Sequence, residues 1–177
     1  MTERVAFFID GANLLHGLSE DFKRIDVDFE TLVNKLLGDR FLTRVYYYTA
    51  LPDQGRDPAR YTKQQKFLNA LQRKPYFSVV LGRLEPRPGG FYVEKGVDIA
   101  LAIDLLDLAF HKTYDTAVLI TGDGDFSRAV EIVQRMGIHV ENACPRSCQS
   151  HHLQQTCDRT IELNIDFLAD CWRKKSE

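Results

Sequence analysis

Two aspartates in one short segment are the first residues of this chain whose spacing could do chemistry. The segment reads TGDGDF at residues 121–126, and it places Asp123 and Asp125 directly after an apolar run at residues 116–120. Such a run predicts a buried strand, and its two following glycines leave the turn sterically open. Carboxylates crowded at the carboxyl end of a strand resist joint ionisation unless a cation lies among them.

Two further aspartates are expected at the same place. Asp10 ends the apolar run at residues 5–9, which predicts another strand, and Asp98 opens a long apolar helix. The helix phase puts Asp98 on one stripe with Leu101, Ala102, Leu105 and Ala109, and we expect that stripe to face the sheet. Each aspartate alone is equally well explained as a turn former or a helix cap. Their convergence on one sheet edge favours a site.

The chemistry of such a cluster is that of an all-oxygen metal site. Carboxylates without histidine or cysteine suit Mg²⁺ or Mn²⁺, which can activate water for in-line attack on a phosphodiester. Asn13, one helical turn from Asp10, could orient water or phosphate, or simply cap its helix. By contrast, Asp104 and Asp107 lie off the stripe and are expected on a solvated face.

Composition bounds the kind of protein that carries these acids. The 177 residues fit one domain, residues 1–177, and 44% hydrophobic with 27% charged residues is typical of a soluble protein. The net charge of −2 gives no overall attraction for nucleic acid, so RNA binding would need a local basic patch. No signal peptide or bilayer-spanning stretch is expected, and four cysteines confined to the last third favour a cytoplasmic protein.

The elements that must position the acids alternate along the chain. Expected strands are residues 5–9, 44–49, 77–81, 116–120 and 138–143, with helices between them and one or two closing helices between residues 153 and 172. This order predicts an α/β fold: a Rossmann-like, doubly wound, mostly parallel sheet of about five strands with helices on both faces. Residues 83–94 predict a hairpin excursion. The runs at 44–49 and 77–81 could lie at a sheet edge, where pairing would build a homodimer.

Three motifs in this order carry a family resemblance. FIDGAN at residues 8–13, KGVDIALAID at 95–104 and TGDGDF at 121–126 together resemble the NYN domain of the PIN-like nuclease superfamily, in its LabA-like branch. The resemblance extends from residue 5 to about residue 168. It implies a Rossmann-like domain with a metal-dependent ribonuclease site. The family's acids fall on Asp10, Asp98, Asp123 and Asp125 and its asparagine on Asn13.

The resemblance also suggests substrate contacts. Thr121 stands where members often have serine and keeps the hydroxyl, and Lys95 matches a family lysine that could contact the scissile phosphate. A solvated loop lysine is an equal alternative for Lys95. RNA would further need cations around the acids, with aromatic rings for stacking. The predicted substrate-binding residues are Asn13, Lys95, Thr121, Arg60, Lys63 and Lys66; a solvated helix face is the alternative for the last three.

The sequence therefore predicts a cytoplasmic, Mg²⁺- or Mn²⁺-dependent endoribonuclease acting on RNA that we expect to be single-stranded. An RNA-binding or regulatory protein with little turnover is the alternative. A haloacid-dehalogenase-type phosphatase fits less well, because Ala12 stands where that family's second aspartate belongs. A zinc site is also disfavoured by poor ligand spacing. Its candidate ligands would be Cys144, Cys148, His151, His152 and Cys157.

Overall fold

A computed structural model describes residues 2–89 and 92–173. The strands are β1 (Arg4–Asp10), β2 (Phe41–Thr49), β3 (Phe77–Leu81), β4 (Arg83–Pro86), β5 (Tyr92–Lys95), β6 (Thr116–Ile120), β7 (His139–Cys144) and β8 (Arg159–Glu162). The α-helices are α1 (Gly11–Phe22), α2 (Phe29–Leu37), α3 (Pro58–Gln72), α4 (Val97–Phe110), α5 (Ser127–Arg135), α6 (His151–Thr156) and α7 (Ile165–Leu168). Short 3₁₀ turns cover Gly124–Phe126 and Arg146–Cys148.

Six of these strands form one parallel sheet in the order β3-β2-β1-β6-β7-β8. Alternate residues of β1 serve different cores, because successive side chains of a strand point to opposite faces. Phe7 packs with α1, α2 and α3, whereas Phe8 packs with α4, α5 and α6. The predicted α/β architecture, a mostly parallel sheet with helices on both faces, is confirmed.

The strand order reverses direction at β1. From β1 the chain first builds outward through β2 to β3, and it then returns to add β6, β7 and β8 on the other side. Such a switch point leaves a crevice at the carboxyl ends of the two central strands, which is where open α/β sheets bind ligands. Asp10 ends β1 and the TGDGDF segment follows β6, so the prediction that these two strands are neighbours is confirmed.

The main sheet has six strands, one more than the expected number of about five. The closing segment contains an extra parallel strand, β8, where a continuous helical pattern was expected. Helix α6 ends at Thr156, and the chain then pairs with β7 through the register Glu141↔Arg159 to Cys144↔Glu162. Because β8 is a four-residue edge strand with mostly exposed side chains, its sequence has no apolar run to reveal it.

The remaining strands lie outside the main sheet. β4 and β5 pair with each other in antiparallel fashion within the stretch expected to form an excursion. Of the two runs offered for dimer formation, β3 lies at the sheet edge while β2 is interior, so the homodimer stays a prediction that involves β3 only. Among the described helices, none has the length and apolar character needed to cross a bilayer.

Candidate functional site

Asp10 occupies the centre of the switch point. It ends β1 and caps α1: its Oδ1 accepts a hydrogen bond from the Asn13 backbone N–H at 3.1 Å. Its Oδ2 accepts one from the Thr121 hydroxyl at 3.1 Å, and only 6% of the residue is exposed. Both carboxylate oxygens are therefore held, and the side chain has one orientation at the mouth of the crevice.

The TGDGDF segment is tied to β1 and α1 by two hydrogen bonds, both of which it donates. The Thr121 hydroxyl that donates to Asp10 also accepts from the Asp123 N–H at 3.2 Å. The Asn13 side-chain Oδ1 accepts from the Gly122 N–H at 2.8 Å. These bonds link the ends of two neighbouring strands, so the loops after β1 and β6 form one polar unit.

Asp123 turns the chain so that Asp125 follows close behind it. Its Oδ1 accepts from the Asp125 N–H at 2.9 Å and thereby caps the 3₁₀ turn that leads into α5. Asp123 is partly exposed and Asp125 is exposed. The two carboxylates therefore border the crevice from the β6 side while their backbone is fixed.

Asp98 approaches the crevice from α4, which packs on the same face of the sheet as α5. It lies in the first turn of α4, which begins after Gly96 in the left-handed region with φ 80°. Leu101 and Leu105 on the predicted stripe are fully buried. Asp98 itself, at the start of this stripe, is exposed. The helix therefore begins near the crevice, where the charges of Asp123 and Asp125 reach Asp98.

The acids influence one another electrostatically. Burial, followed by the charges of Asp98 and Asp123, raises the pKa of Asp10 against the opposing effect of its two hydrogen bonds. Loss of hydration at its carboxylate, followed by the charges of Asp123 and Asp125, raises the pKa of Asp98. The negative charges are thus close enough to oppose one another, and within the described residues no cation lowers the pKa of either carboxyl group.

A cation would balance this charge, and carboxylate oxygens are the donors that Mg²⁺ and Mn²⁺ prefer. The donor set therefore fits such a metal in its chemistry. In the described parts of the chain, however, no three His, Cys, Asp or Glu side chains are gathered so that they could hold an ion. The structure presents an acidic crevice rather than a finished coordination shell.

Asp104 was predicted on a solvated face, and this prediction is wrong. Its Oδ2 accepts a hydrogen bond from the Tyr48 hydroxyl at 2.9 Å, and the residue is only partly exposed. Burial, then the Asp104 charge, raises the pKa of Tyr48, which keeps the phenol protonated as the donor. Asp104 therefore fastens α4 to β2. Asp107 is exposed, as predicted.

The predicted basic residues stand apart from the acids. Lys95 ends β5 and is exposed, three residues before Asp98. Arg60, Lys63 and Lys66 are exposed on α3, and within residues 2–89 and 92–173 their side chains form no ion pair or hydrogen bond. They are available cations, and no contact joins them to the carboxylates.

The carboxy-terminal cysteines and histidines do not assemble into a zinc site among the described residues. Cys144 is buried at the end of β7, while His151 and His152 are exposed on α6. All four thiols are free.

Three supporting residues were missed by the sequence analysis. Asn142 is buried in β7, and its Nδ2 donates to the carbonyls of Leu119 and Thr121 at 3.0 and 2.7 Å. It thus fixes the end of β6. The signal available in the sequence was a polar residue within an otherwise apolar strand. Ser127 begins α5, and its Oγ is the one buried side-chain oxygen or nitrogen without a partner in the described chain. Cys148 abuts Gly122, where an added methyl group would overlap its carbonyl oxygen.

Comparison with known proteins gives a family and several relatives. The model of the NYN domain matches residues 4–164. The low amplitude and bright protein LabA of Synechococcus elongatus is 28% identical over 167 residues, covering 91% of this chain and 84% of LabA. An uncharacterised protein of Methanocaldococcus jannaschii is 27% identical and aligns with 98% of this chain but only 60% of its own length.

A solved structure shares the fold. The crystal structure of a protein of unknown function from Vibrio parahaemolyticus superposes with a TM-score of 0.76 at 23% identity, covering 93% of this chain and 95% of that one. The likeness concerns the arrangement of strands and helices.

Proposed function

This chain belongs to the NYN domain family, and from that premise and the acidic crevice we propose that it is a divalent-metal-dependent endoribonuclease. Family membership and the similarity to LabA support a nuclease-type or RNA-related function at the coarse level. We further propose that residues 1–177 form one such domain and that it works in the cytoplasm, where free thiols persist.

The observation that carries the proposal is the electrostatics of Asp10. A buried carboxylate whose pKa is raised by burial and by Asp98 and Asp123 is unfavourable in its charged form. Its two hydrogen bonds nevertheless fix it at the switch point of the sheet, where ligands bind. An arrangement that costs stability and lies at a binding position is characteristic of functional sites.

In this proposal Asp10, Asp98, Asp123 and Asp125 supply the oxygen donors for Mg²⁺ or Mn²⁺. The bound cation would polarise the phosphodiester and lower the pKa of water. Asp125 is exposed and is the residue best able to accept a proton from the attacking water as well. Attack by water needs no nucleophilic side chain, so no covalent intermediate with the protein is expected.

The substrate-binding roles follow from the remaining donors. Asn13 Oδ1 is engaged by the Gly122 N–H, which leaves Nδ2 to donate to a phosphate oxygen. Thr121 acts through Asp10 and Asp123, because its hydroxyl already bonds to both. Lys95 and the cations of α3 (Arg60, Lys63 and Lys66) would neutralise flanking phosphates of single-stranded RNA.

Cleavage of labelled single-stranded RNA with Mn²⁺ tests this proposal. We expect Asp10→Asn, Asp98→Asn and Asp123→Asn each to lower the rate by roughly 100-fold or more, and EDTA to abolish cleavage. Asp107→Asn is the matched control: it removes an exposed carboxylate from the same helix, away from the crevice, and should cleave normally. Full cleavage by the Asp10 and Asp98 variants, or cleavage that resists EDTA, would refute the assignment.

The absence of an assembled three-ligand group among the described residues favours one alternative, an RNA-binding protein with little turnover. In that case wild-type protein would bind RNA but leave it intact with every divalent metal tried. Binding would then depend on the α3 cations and be indifferent to Asp98→Asn.

A further inference from the structure

A pair of cysteines lies directly behind the acidic crevice. Cys144 ends β7 and is fully buried, while Cys148 ends the next 3₁₀ turn and is partly exposed. The Cys148 N–H donates to the Pro145 carbonyl at 3.3 Å, and the Cys148 Sγ lies 3.4 Å from the same oxygen. This turn folds Cys148 back toward the strand, and the two thiols are close enough for each to shift the pKa of the other.

We propose that Cys144 and Cys148 are a redox modification site, at which a hydroperoxide closes an intramolecular disulfide next to the acidic crevice. The proposal is independent of ribonuclease activity, because it rests on the two thiols and on their packing.

The local geometry favours this pair. A disulfide requires Cα atoms roughly 4.4–6.8 Å apart, and a single tight turn separates Cys144 from Cys148. Cys157, at the end of α6, is the other thiol whose charge reaches Cys144. Cys171 packs in the hydrophobic core on the opposite face of the sheet, with α2 and α7, and is not a competitor.

The two thiols differ in the way that the reaction requires. The hydrogen bond with Cys144 lowers the pKa of Cys148, although burial and the charges of Asp21 and Asp10 oppose the change. The same hydrogen bond, together with burial, raises the pKa of Cys144. Cys148 is also the more accessible of the two. It is therefore the attacking thiol and Cys144 the resolving one.

The reaction balances in two steps. The Cys148 thiolate attacks one peroxide oxygen, the O–O bond breaks, and the departing oxygen takes up a proton and leaves as water or alcohol; Cys148 becomes a sulfenic acid. The Cys144 thiol, losing its proton to the sulfenic oxygen, then attacks the Cys148 sulfur, and water leaves as the S–O bond breaks. Overall two thiols lose two electrons and two protons, and the hydroperoxide accepts them.

Closing the disulfide would act on the crevice through Gly122. The Cys148 carbonyl packs so tightly on Gly122 that a methyl group there would overlap it. On the other side, a methyl group at Gly17 of α1 would lie 2.7 Å from the Cys148 Sγ. Drawing this sulfur toward Cys144 therefore shifts a segment wedged between α1 and Gly122. The Gly122 N–H donates to the Asn13 Oδ1, so the geometry of this hydrogen bond should change when the disulfide forms.

Mass spectrometry after hydrogen peroxide treatment tests the disulfide. Trypsin cleaves after Arg135, Arg146 and Arg159, which places Cys144 in one peptide and both Cys148 and Cys157 in the next. We expect these two peptides to become linked, with loss of two hydrogen atoms from the intact mass, and to separate again with dithiothreitol. In Cys157→Ser the link should persist, and there it can only join Cys144 to Cys148.

Cys148→Ser and Cys144→Ser should each abolish the link, whereas Cys171→Ser should leave it unchanged. Cys144→Ala is a second variant for the buried position, in case a hydroxyl is not tolerated there. A link lost in Cys157→Ser, or a Cys148 that advances to sulfinic acid without linking, would overturn the proposal.

The amide resonance of Gly122 in a ¹⁵N-labelled sample provides the second readout. It should move on oxidation of wild-type protein and return on reduction, and it should stay fixed in Cys148→Ser. A Gly122 resonance that does not move while the disulfide forms would contradict the coupling to the crevice.

Discussion

At the residue scale, the amide of Asn13 has a separate task for each polar atom. Its Oδ1 holds the Gly122 N–H, which is a structural task, and its Nδ2, which has no partner among the described residues, can donate to a ligand. Aspartate can perform the first task but not the second. Asparagine at this position therefore serves both the fold and the proposed chemistry.

This division makes Asn13→Asp an informative variant. We expect RNA cleavage to fall by roughly 100-fold, as when a single preorganised donor is removed, while the bond from the Gly122 N–H is kept. Asn13→Ala should also unfold more easily, by about 1–3 kcal/mol, because the Gly122 N–H loses its acceptor. Wild-type turnover by Asn13→Asp would show that Nδ2 has no part in the reaction.

Asp10 should cost stability in the metal-free protein. Its pKa is raised on folding, so the folded state binds the proton more tightly, and the stability due to this group falls as pH rises from the ordinary carboxyl value of 3.8 through the raised folded value. Asparagine keeps the cap and avoids the charge.

Urea unfolding of Asp10→Asn in EDTA checks this. The variant should be at least as stable as wild type at neutral pH, and its advantage should shrink toward acidic pH. Added Mn²⁺ should raise the midpoint of wild type only. A variant less stable than wild type in EDTA would contradict the charge argument.

The sequence was sufficient for some of these residues and not for others. Asp10, Asn13 and Thr121 lie in short turns after apolar strands, so their meeting could be predicted once the strands were placed side by side. Asp104 could not be placed in this way. Its position on the helix lies outside the stripe that faces the core. Its partner, the Tyr48 hydroxyl, comes from β2 and is apparent only in the folded structure.

At the element scale, the contact between the TGDGDF turn and the 3₁₀ turn after β7 decides how closely two loops can approach. Gly122 touches the backbone of Cys148, whereas a methyl group at Gly124 would meet only the Ser150 Oγ, at 2.6 Å. A backbone carbonyl cannot move without its turn, whereas the Ser150 side chain can rotate at the cost of the bond that its Oγ accepts from the Leu153 N–H. Gly122 therefore tolerates an added methyl group less well than Gly124 does.

Gly122→Ala should destabilise the protein by about 1–3 kcal/mol or more and lower activity, because the Asn13 and Asp123 bonds on either side must shift. Gly124→Ala is the matched control and should keep wild-type cleavage, with a smaller loss of stability of about 1 kcal/mol because the Ser150 cap of α6 is weakened. Chemical denaturation and RNA cleavage measured side by side check this. Equal behaviour of the two variants would contradict the packing argument.

Elements with apolar runs were predictable, and β8 was not. β1 and β6 are fully buried along nearly their whole length, so hydrophobicity alone marks them. β8 exists because its backbone pairs with β7 at the sheet edge, a tertiary hydrogen-bond pattern that leaves little trace in side-chain composition. The placement of β1 beside β6 at a switch point, in contrast, could be expected from the alternation of strands and helices.

At the scale of the whole molecule, a net charge of −2 and an acidic crevice must be reconciled with a polyanionic substrate. The exposed cations of α3 provide the means, since this helix follows the carboxyl end of β2, the edge at which the acids lie. Gln64 fastens it there: its Nε2 donates to the Ala50 carbonyl at 3.1 Å. Lys63 and Lys66 flank Gln64 and remain exposed.

RNA affinity should therefore depend on salt through these lysines. For single strands the slope of log affinity against log salt is about −0.7 per phosphate neutralised, so the double variant Lys63→Ala/Lys66→Ala should have a slope shallower by that amount for each phosphate that the two lysines neutralise. Arg135→Ala is the control. Arg135 ends α5 near the start of β7, whereas the acids lie at the carboxyl ends of the strands. Fluorescence anisotropy of a labelled single strand in EDTA, at several salt concentrations, measures binding without cleavage. The expected effect is electrostatic and local. A slope that is unchanged in the double variant, or equally reduced in Arg135→Ala, would therefore show that the α3 lysines do not contact RNA phosphates. Of the α3 cations proposed to bind RNA, only Arg60 would then remain.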